Sequence, residues 1–196
     1  MDTVAPPLLL LDVDGPLNPW MAEPTRRPDG YRTHRMRPTG WEDPYRKPLR
    51  VWLNPDHGAA LLALPFSIVW ATTWKGEANE WIGPHLGLPE LPFIDWPAAP
   101  RTSLRLHWKT RTIVEYAAGR PFAWVDDELG AEDREYVEHH HSGPALLHRV
   151  NPRLGLLPDD FAELAAWAAG PARSDDTIGR PSTRPSGRST APPGSD

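Results

Sequence analysis

The sequence predicts an α/β fold, a doubly wound and mainly parallel sheet in three layers, and three observations carry that expectation. Three short apolar runs without polar alternation, Leu8 to Val13, Phe66 to Ala71 and Pro121 to Val125, have the length and continuity of strands buried on both faces. Each closes at its C-terminal side in acids or hydroxyls, at Asp12 and Asp14, at Thr72 and Thr73, and at Asp126 and Asp127. Segments of helical character separate the runs, and strands that alternate with helices form units whose sheet is parallel.

The elements follow in order. Four leucines, Leu8 to Leu11, open the first strand, and Gly15 permits a sharp turn beyond it. Tyr31 to Met36 and Leu49 to Leu53, set among Pro- and Gly-rich turns, suggest a β-hairpin flap. Asp56 to Leu64 reads as a helix, and Gly76 to Leu86 as a single second one, followed by loop and a short Phe93-Ile94 strand. Lys109 to Ala118 and Ala131 to His140 are helical, and Ala145 to Val150 is a fourth apolar run. Pro158 to Ala169 closes the domain as an amphipathic helix whose Asp159 and Asp160 suit its positive N-terminal end. From 171 to 196 Ile178 is the only large aliphatic among Pro, Ser, Gly, Arg and Thr, too little apolar surface to offset the entropy of ordering. The expected organisation is therefore one domain over about residues 6 to 170, with a basic flap at 19–50, and a disordered tail at 171–196.

Composition narrows the chemistry. With 25 prolines and 15 glycines in 196 residues, long uninterrupted helices are excluded. The chain has no cysteine, so disulfides, thiolate nucleophiles and iron–sulfur clusters are excluded and oxygen and nitrogen ligands remain. No apolar run approaches the roughly 20 residues of a membrane span, and the first residues carry acids where a signal peptide needs a basic region. A cytoplasmic protein without membrane contact is expected. The net charge of −5 argues against general nucleic-acid binding, which leaves nucleic acid only as a substrate. The charge is uneven: Pro19 to Arg50 holds eight basic residues against four acids, a balance of +4 that leaves −9 elsewhere.

The strongest signal is Asp12-Val13-Asp14-Gly15 directly after the leucines. Alternation at the end of a strand points Asp12 and Asp14 the same way, so two carboxylates converge. A calcium EF-hand loop would need its glycine at the sixth position, and Gly15 is the fourth. Thr72 offers a hydroxyl and an amide to an anion, or caps the helix that follows. Lys109 opens a helical segment among His107, Trp108 and Thr110, at the helix end that faces an anion, where a surface lysine is the competing reading. Asp126 and Asp127 are adjacent carboxylates that repel unless a cation lies between them, so a metal is the economical explanation; solvated strand-end acids are the plain one.

The order Asp-x-Asp, then Thr, then Lys, then Asp-Asp resembles the haloacid dehalogenase (HAD) superfamily of phosphohydrolases, over Leu8 to about Ala169. Receiver domains carry similar groups but place their acidic pair first. The phrases DVDGPLNP, WLNP, WATTW and WVDD are similar to those of small bacterial proteins of the HAD superfamily. The resemblance implies a HAD-like, Rossmann-like domain in which Asp12 attacks phosphorus to form an aspartyl-phosphate. Asp14 would then protonate the leaving oxygen and activate water. It further implies Mg²⁺ held by the Asp12 carboxylate, the Asp14 backbone carbonyl, Asp126 and Asp127. Thr72 and Thr73 would bind phosphoryl oxygens and Lys109 would neutralise charge on nucleophile and transition state.

Members of the superfamily often choose substrates with an inserted cap, and here neither interval between motifs has room for a large one. A minimal cap with a basic hairpin flap is expected, leaving an open site for a phosphorylated small molecule, a nucleotide, a nucleic-acid end or another bulky anionic phosphate. Arginines that simply solvate a loop are the alternative. Trp20, Trp41, Trp52, Trp74 and Trp96 fall near the site, for packing under loops or for base stacking. His139, His140 and His141 read as a solvated helix end, and Asn18 with Pro19 as shapers of the turn after the nucleophile. From a different class, a catalytically silent phosphate- and metal-binding module of the same fold is the competing function.

Overall fold

In the computed structural model, which describes residues 5–98 and 105–170, strand β1 (Leu8–Leu11) is central to a four-stranded sheet ordered β4-β1-β5-β6. It pairs in parallel with β4 (Ser67–Trp70) and β5 (Phe122–Asp126), and β5 in turn pairs in parallel with β6 (Ala145–Arg149). A single bridge from Trp70 to Phe93 continues the sheet beyond β4, where the Phe93-Ile94 strand was expected. A second, antiparallel pair joins β2 (Arg32–Met36) to β3 (Leu49–Leu53). The helices are α1 (Asp56–Leu62), α2 (Glu77–Trp81), α3 (Gly83–Leu86), α4 (Thr110–Ala117), α5 (Ala131–His140) and α6 (Pro158–Ala169). The tail expected at 171–196 lies outside the described residues.

The leucine run explains the layers. Leu9 and Leu11 point to one face of the sheet, where they meet Leu61 of α1, Ala78 of α2, Leu86 of α3 and Leu164 of α6. Leu8 and Leu10 point to the other, against Ile113 and Ala117 of α4 and Val137 of α5. Both faces being covered, the strand needs no polar alternation. The chain leaves β1 for β4 with α1 on one face, then crosses to β5 with α4 on the opposite face. That reversal at β1 is a topological switch point, and the crevice outside the strands' carboxyl ends there is where such sheets bind ligands.

Three details differ from the expectations. The helix expected over Gly76 to Leu86 is two short helices, α2 and α3, separated at Ile82 with Pro84 in the first turn of the second. The hairpin is not a free flap: Met36, Val51 and Leu53 are buried in the core beneath it. His141 is buried at the end of α5 with its ring against Phe122, not solvated, while His139 and His140 each contact a carbonyl one turn back. Close packing imposes a steric limit at Gly58, where a Cβ would stand 1.6 Å from the Leu86 carbonyl oxygen. Among the described residues no helix is long and apolar enough to cross a membrane.

Candidate active site

Parallel register brings the polar strand ends to one edge. Leu11 of β1 stands beside Trp70 of β4 and Val125 of β5, so the residues that follow, Asp12, Ala71 and Asp126, emerge side by side. The Asp12 backbone N–H still donates to the Val125 carbonyl, which fixes the nucleophile candidate to the sheet. Gly15, at φ +98°, then turns the chain back, and its N–H donates to the Asn18 carbonyl. A Cβ there would lie 2.5 Å from Asp127 Cγ, so the turn passes against the second acidic motif.

Lys109 reaches into this edge from the N-terminal end of α4. Its Nζ donates to Asp12 Oδ2 at 2.7 Å and to Asp126 Oδ2 at 2.9 Å, with all three side chains buried. The reading of Lys109 as a surface residue is therefore excluded. Burial draws its ammonium pKa down, but Asp12 and Asp126 together outweigh that and hold it above the ordinary lysine range. Asp133 of α5 fixes the approach: its buried carboxylate accepts the His107 backbone N–H at 2.9 Å, the Thr110 hydroxyl at 2.6 Å and the Gly130 N–H at 2.8 Å.

Carboxylate oxygens of Asp12, Asp126 and Asp127 lie within 4.8 Å of one another, all buried. Burial pushes Asp12 up to about 7 against the pull of Lys109, and Asp126 adds to the rise. Burial also raises Asp127, opposed by the hydrogen bond from Trp20 and reinforced by Asp126. Three acids against one ammonium leave a negative excess that a hard, oxygen-seeking cation would relieve, so the donor set fits magnesium. Asp14 stands apart from the trio, with Oδ1 accepting Asn18 Nδ2 at 2.7 Å and Oδ2 accepting the Trp74 indole N–H at 3.0 Å.

Thr72 is buried past the end of β4; its hydroxyl accepts the Trp74 N–H at 3.4 Å, and α2 begins too far on for Thr72 to cap it. Its carbonyl accepts the Trp96 indole N–H at 2.7 Å. Thr73 lines a cavity of about 310 Å³ with Asp14, Trp74, Thr39 and Trp41. A second cavity of about 560 Å³ is lined by Asp14, Asn18, Trp20, Leu49 and Arg50. The mouth between hairpin and sheet is thus double, with Asp14 and Leu49 common to both halves.

Sequence reasoning missed the supports of the acids. Asn18 was read as a turn former, yet its side chain links Asp14 to the Trp52 backbone N–H at 3.0 Å. Trp20 donates to Asp127 Oδ2 at 3.1 Å, and Trp74 to Asp14, so indoles read mainly as packing serve as donors to carboxylates. The excess of tryptophan beside acidic motifs was the available signal. Asp133 carried none, being one acid among several on α5. The basic flap also divides: Arg37 is held by the Trp41 and Asp43 carbonyls and Arg50 by the Pro24 carbonyl, whereas Arg32 and Arg35 are exposed on β2.

No curated protein and no solved structure gives a match to the chain. A family model described as the HAD domain in Swiss Army Knife RNA repair proteins matches residues 8–161, a span that runs from the first leucine of β1 into α6 and encloses all four motifs. The chain therefore belongs to the HAD superfamily, in the family of HAD domains found in Swiss Army Knife RNA repair proteins.

Proposed function

We propose that this protein is a Mg²⁺-dependent phosphomonoester hydrolase that works through an aspartyl-phosphate on Asp12. The observation that carries the reading is the Lys109 ammonium shared by Asp12 and Asp126 at 2.7 and 2.9 Å, beside a third acid within metal-ligand reach. A carboxylate so held is oriented as a nucleophile and kept from repelling a dianionic phosphate. An Asp12 oxygen bonds to phosphorus as the bond to the leaving oxygen breaks, and Asp14 gives that oxygen its proton. Asp14 then takes a proton from water, whose oxygen displaces Asp12 from phosphorus and releases inorganic phosphate. Asn18 and Trp74 aim Asp14 for both transfers. Thr72 and Thr73 supply polar groups for the phosphoryl oxygens at the end of β4. Asp12, Asp126 and Asp127 would hold Mg²⁺ together with the Asp14 carbonyl, and the ion supplies charge neutralisation for the incoming phosphate.

The open double mouth supports a bulky substrate, and the description of the matched family supports a phosphorylated nucleic-acid end or nucleotide. With magnesium and p-nitrophenyl phosphate, Asp12→Asn is expected to abolish turnover, and Asp14→Asn to lower it by about 10²-fold or more. Chelation is expected to match Asp12→Asn. Full turnover by Asp12→Asn would overturn the mechanism. Magnesium-dependent phosphate binding without hydrolysis across a broad panel of phosphates would instead assign the site to a binding module.

A further inference from the structure

We infer that Trp20 is a specificity-determining platform on which the leaving group stacks, so that the site prefers a phosphate carried by a nucleoside to one carried by an aliphatic alcohol. The inference rests on the phosphatase reading of the same site. Trp20 is the one tryptophan among the exposed large apolar side chains of the described residues, at 49% exposure. It is nevertheless fixed: its backbone N–H donates to the Asn18 carbonyl at 2.7 Å and its indole N–H to Asp127 Oδ2 at 3.1 Å. An indole pinned through its ring N–H and half exposed offers a preorganised stacking surface. Neighbouring rings are already engaged, with Arg46 over Trp41 at 3.6 Å, Arg50 over Trp52 at 3.8 Å, and Trp74 and Trp96 buried.

Placement supplies the direction. Trp20 and Asp14 line one cavity of about 560 Å³, room enough for a nucleoside, and Asp14 is the group assigned to the leaving oxygen. Asp14 borders both cavities, and of the two the one bounded by Trp20 is the larger, at about 560 against about 310 Å³, so the group attached to that oxygen is assigned to it. Arg50 shares the wall, and its guanidinium, placed over the Trp52 ring and held by the Pro24 carbonyl, offers fixed positive charge to a second phosphate or a ribose oxygen. A base has a π-face whatever its identity, so such a platform selects nucleosides as a class without reading sequence.

The test compares adenosine 3′-monophosphate, an oligonucleotide ending in a 3′-phosphate and glycerol 2-phosphate on the wild type, Trp20→Phe and Trp20→Ala, with magnesium present. Relative to Trp20→Phe, which equally lacks the indole N–H that reaches Asp127, Trp20→Ala is expected to raise KM for a nucleoside-borne phosphate about tenfold and to give a KM for glycerol 2-phosphate within about twofold of the Phe variant's. Trp20→Phe keeps a ring and is expected to keep the ratio of the two KM values, whatever the lost N–H does to kcat. A loss on the mononucleotide identifies free nucleotides as the source; a loss on the oligonucleotide alone identifies nucleic-acid ends, and either supports the platform. An equal difference between the Phe and Ala variants for all three substrates, or none for any, overturns it. Binding of adenosine 3′-monophosphate to magnesium-loaded Asp12→Asn carrying either Trp20→Phe or Trp20→Ala, both without the N–H to Asp127, separates this inference from the catalytic one. A Kd weakened about tenfold supports the platform even where nothing is hydrolysed, and an unchanged Kd overturns it.

Discussion

The side-chain oxygen of Asn18 accepts the backbone N–H of Trp52 at 3.0 Å, joining the turn after the first motif to the hairpin strand β3. The same amide donates to Asp14 Oδ1 at 2.7 Å. A single side chain therefore couples the position of the proposed acid to the position of the hairpin, which also lines both cavities through Leu49.

Asn18→Ala is expected to cut this link at both ends. The Trp52 N–H, buried and left without its acceptor, costs about 1–3 kcal/mol of stability, measurable by urea denaturation. Misaiming of Asp14 lowers kcat on p-nitrophenyl phosphate by about 10²-fold at most, with KM little changed. A rise in KM at constant kcat would make Asn18 a substrate contact and not a positioning residue.

Magnesium is expected to stabilise the fold because the three buried acids repel without it. Saturation at about 100 times Kd contributes about 2.7 kcal/mol, which for a chain of this size raises Tm by about 5–10 °C. Chelator reverses the rise and Asp126→Asn removes most of it. A Tm indifferent to magnesium in the wild type would overturn the metal assignment.

How much of this was legible depended on whether the determinant was local. The strands were readable because Leu8–Leu11 is buried on both faces and has no alternation to confuse, and the edge of the sheet followed from parallel order alone. The break at Ile82 between α2 and α3 was not, because Pro84 suits a helix's first turn as well as it interrupts one. The hairpin's arginines looked alike in sequence, yet Arg37 binds two carbonyls and Arg32 is exposed. In the site, acids and lysine announced themselves by type and order. Asn18, Trp20, Trp74 and Asp133 did not, since each acts through a partner distant in sequence or through a hydrogen bond that its neighbours give no hint of.

Acid sensitivity is expected from His57, buried on α1 between Tyr31 and Phe161. Burial lowers its pKa from the ordinary 6.5 to about 4, with Asp56, the Leu156 backbone and Asp160 opposing too weakly. The folded pKa lies below the unfolded one, so between pH 6.5 and 4 the unfolded chain binds a proton that the folded chain refuses. Stability therefore falls as pH drops through that window, by about 3 kcal/mol from this group. His57→Gln is expected to flatten the decline by that amount in denaturation curves taken at pH 7, 5.5 and 4. An unchanged slope would mean that the ring is protonated in the fold.

Gly15 sets the sharpest steric demand on the site. At φ +98° an L side chain is strained, and its Cβ would stand 2.5 Å from Asp127 Cγ and 2.6 Å from Asp127 Cβ. Gly15→Ala must therefore either unwind the turn that carries Asn18 or push Asp127 away from Asp12 and Asp126. The backbone conformation alone costs about 1–2 kcal/mol, and displacement of Asp127 is expected to weaken magnesium binding as well. A double-mutant cycle separates the two causes. Asp127→Gly removes all the crowding Asp127 atoms, so in that background Gly15→Ala retains only the backbone strain and the pair is less destabilised than the sum of the single variants, by at least about 0.5 kcal/mol. Strict additivity in the denaturation free energies would show that Gly15 is required for its φ alone and that Asp127 yields freely to a side chain at position 15.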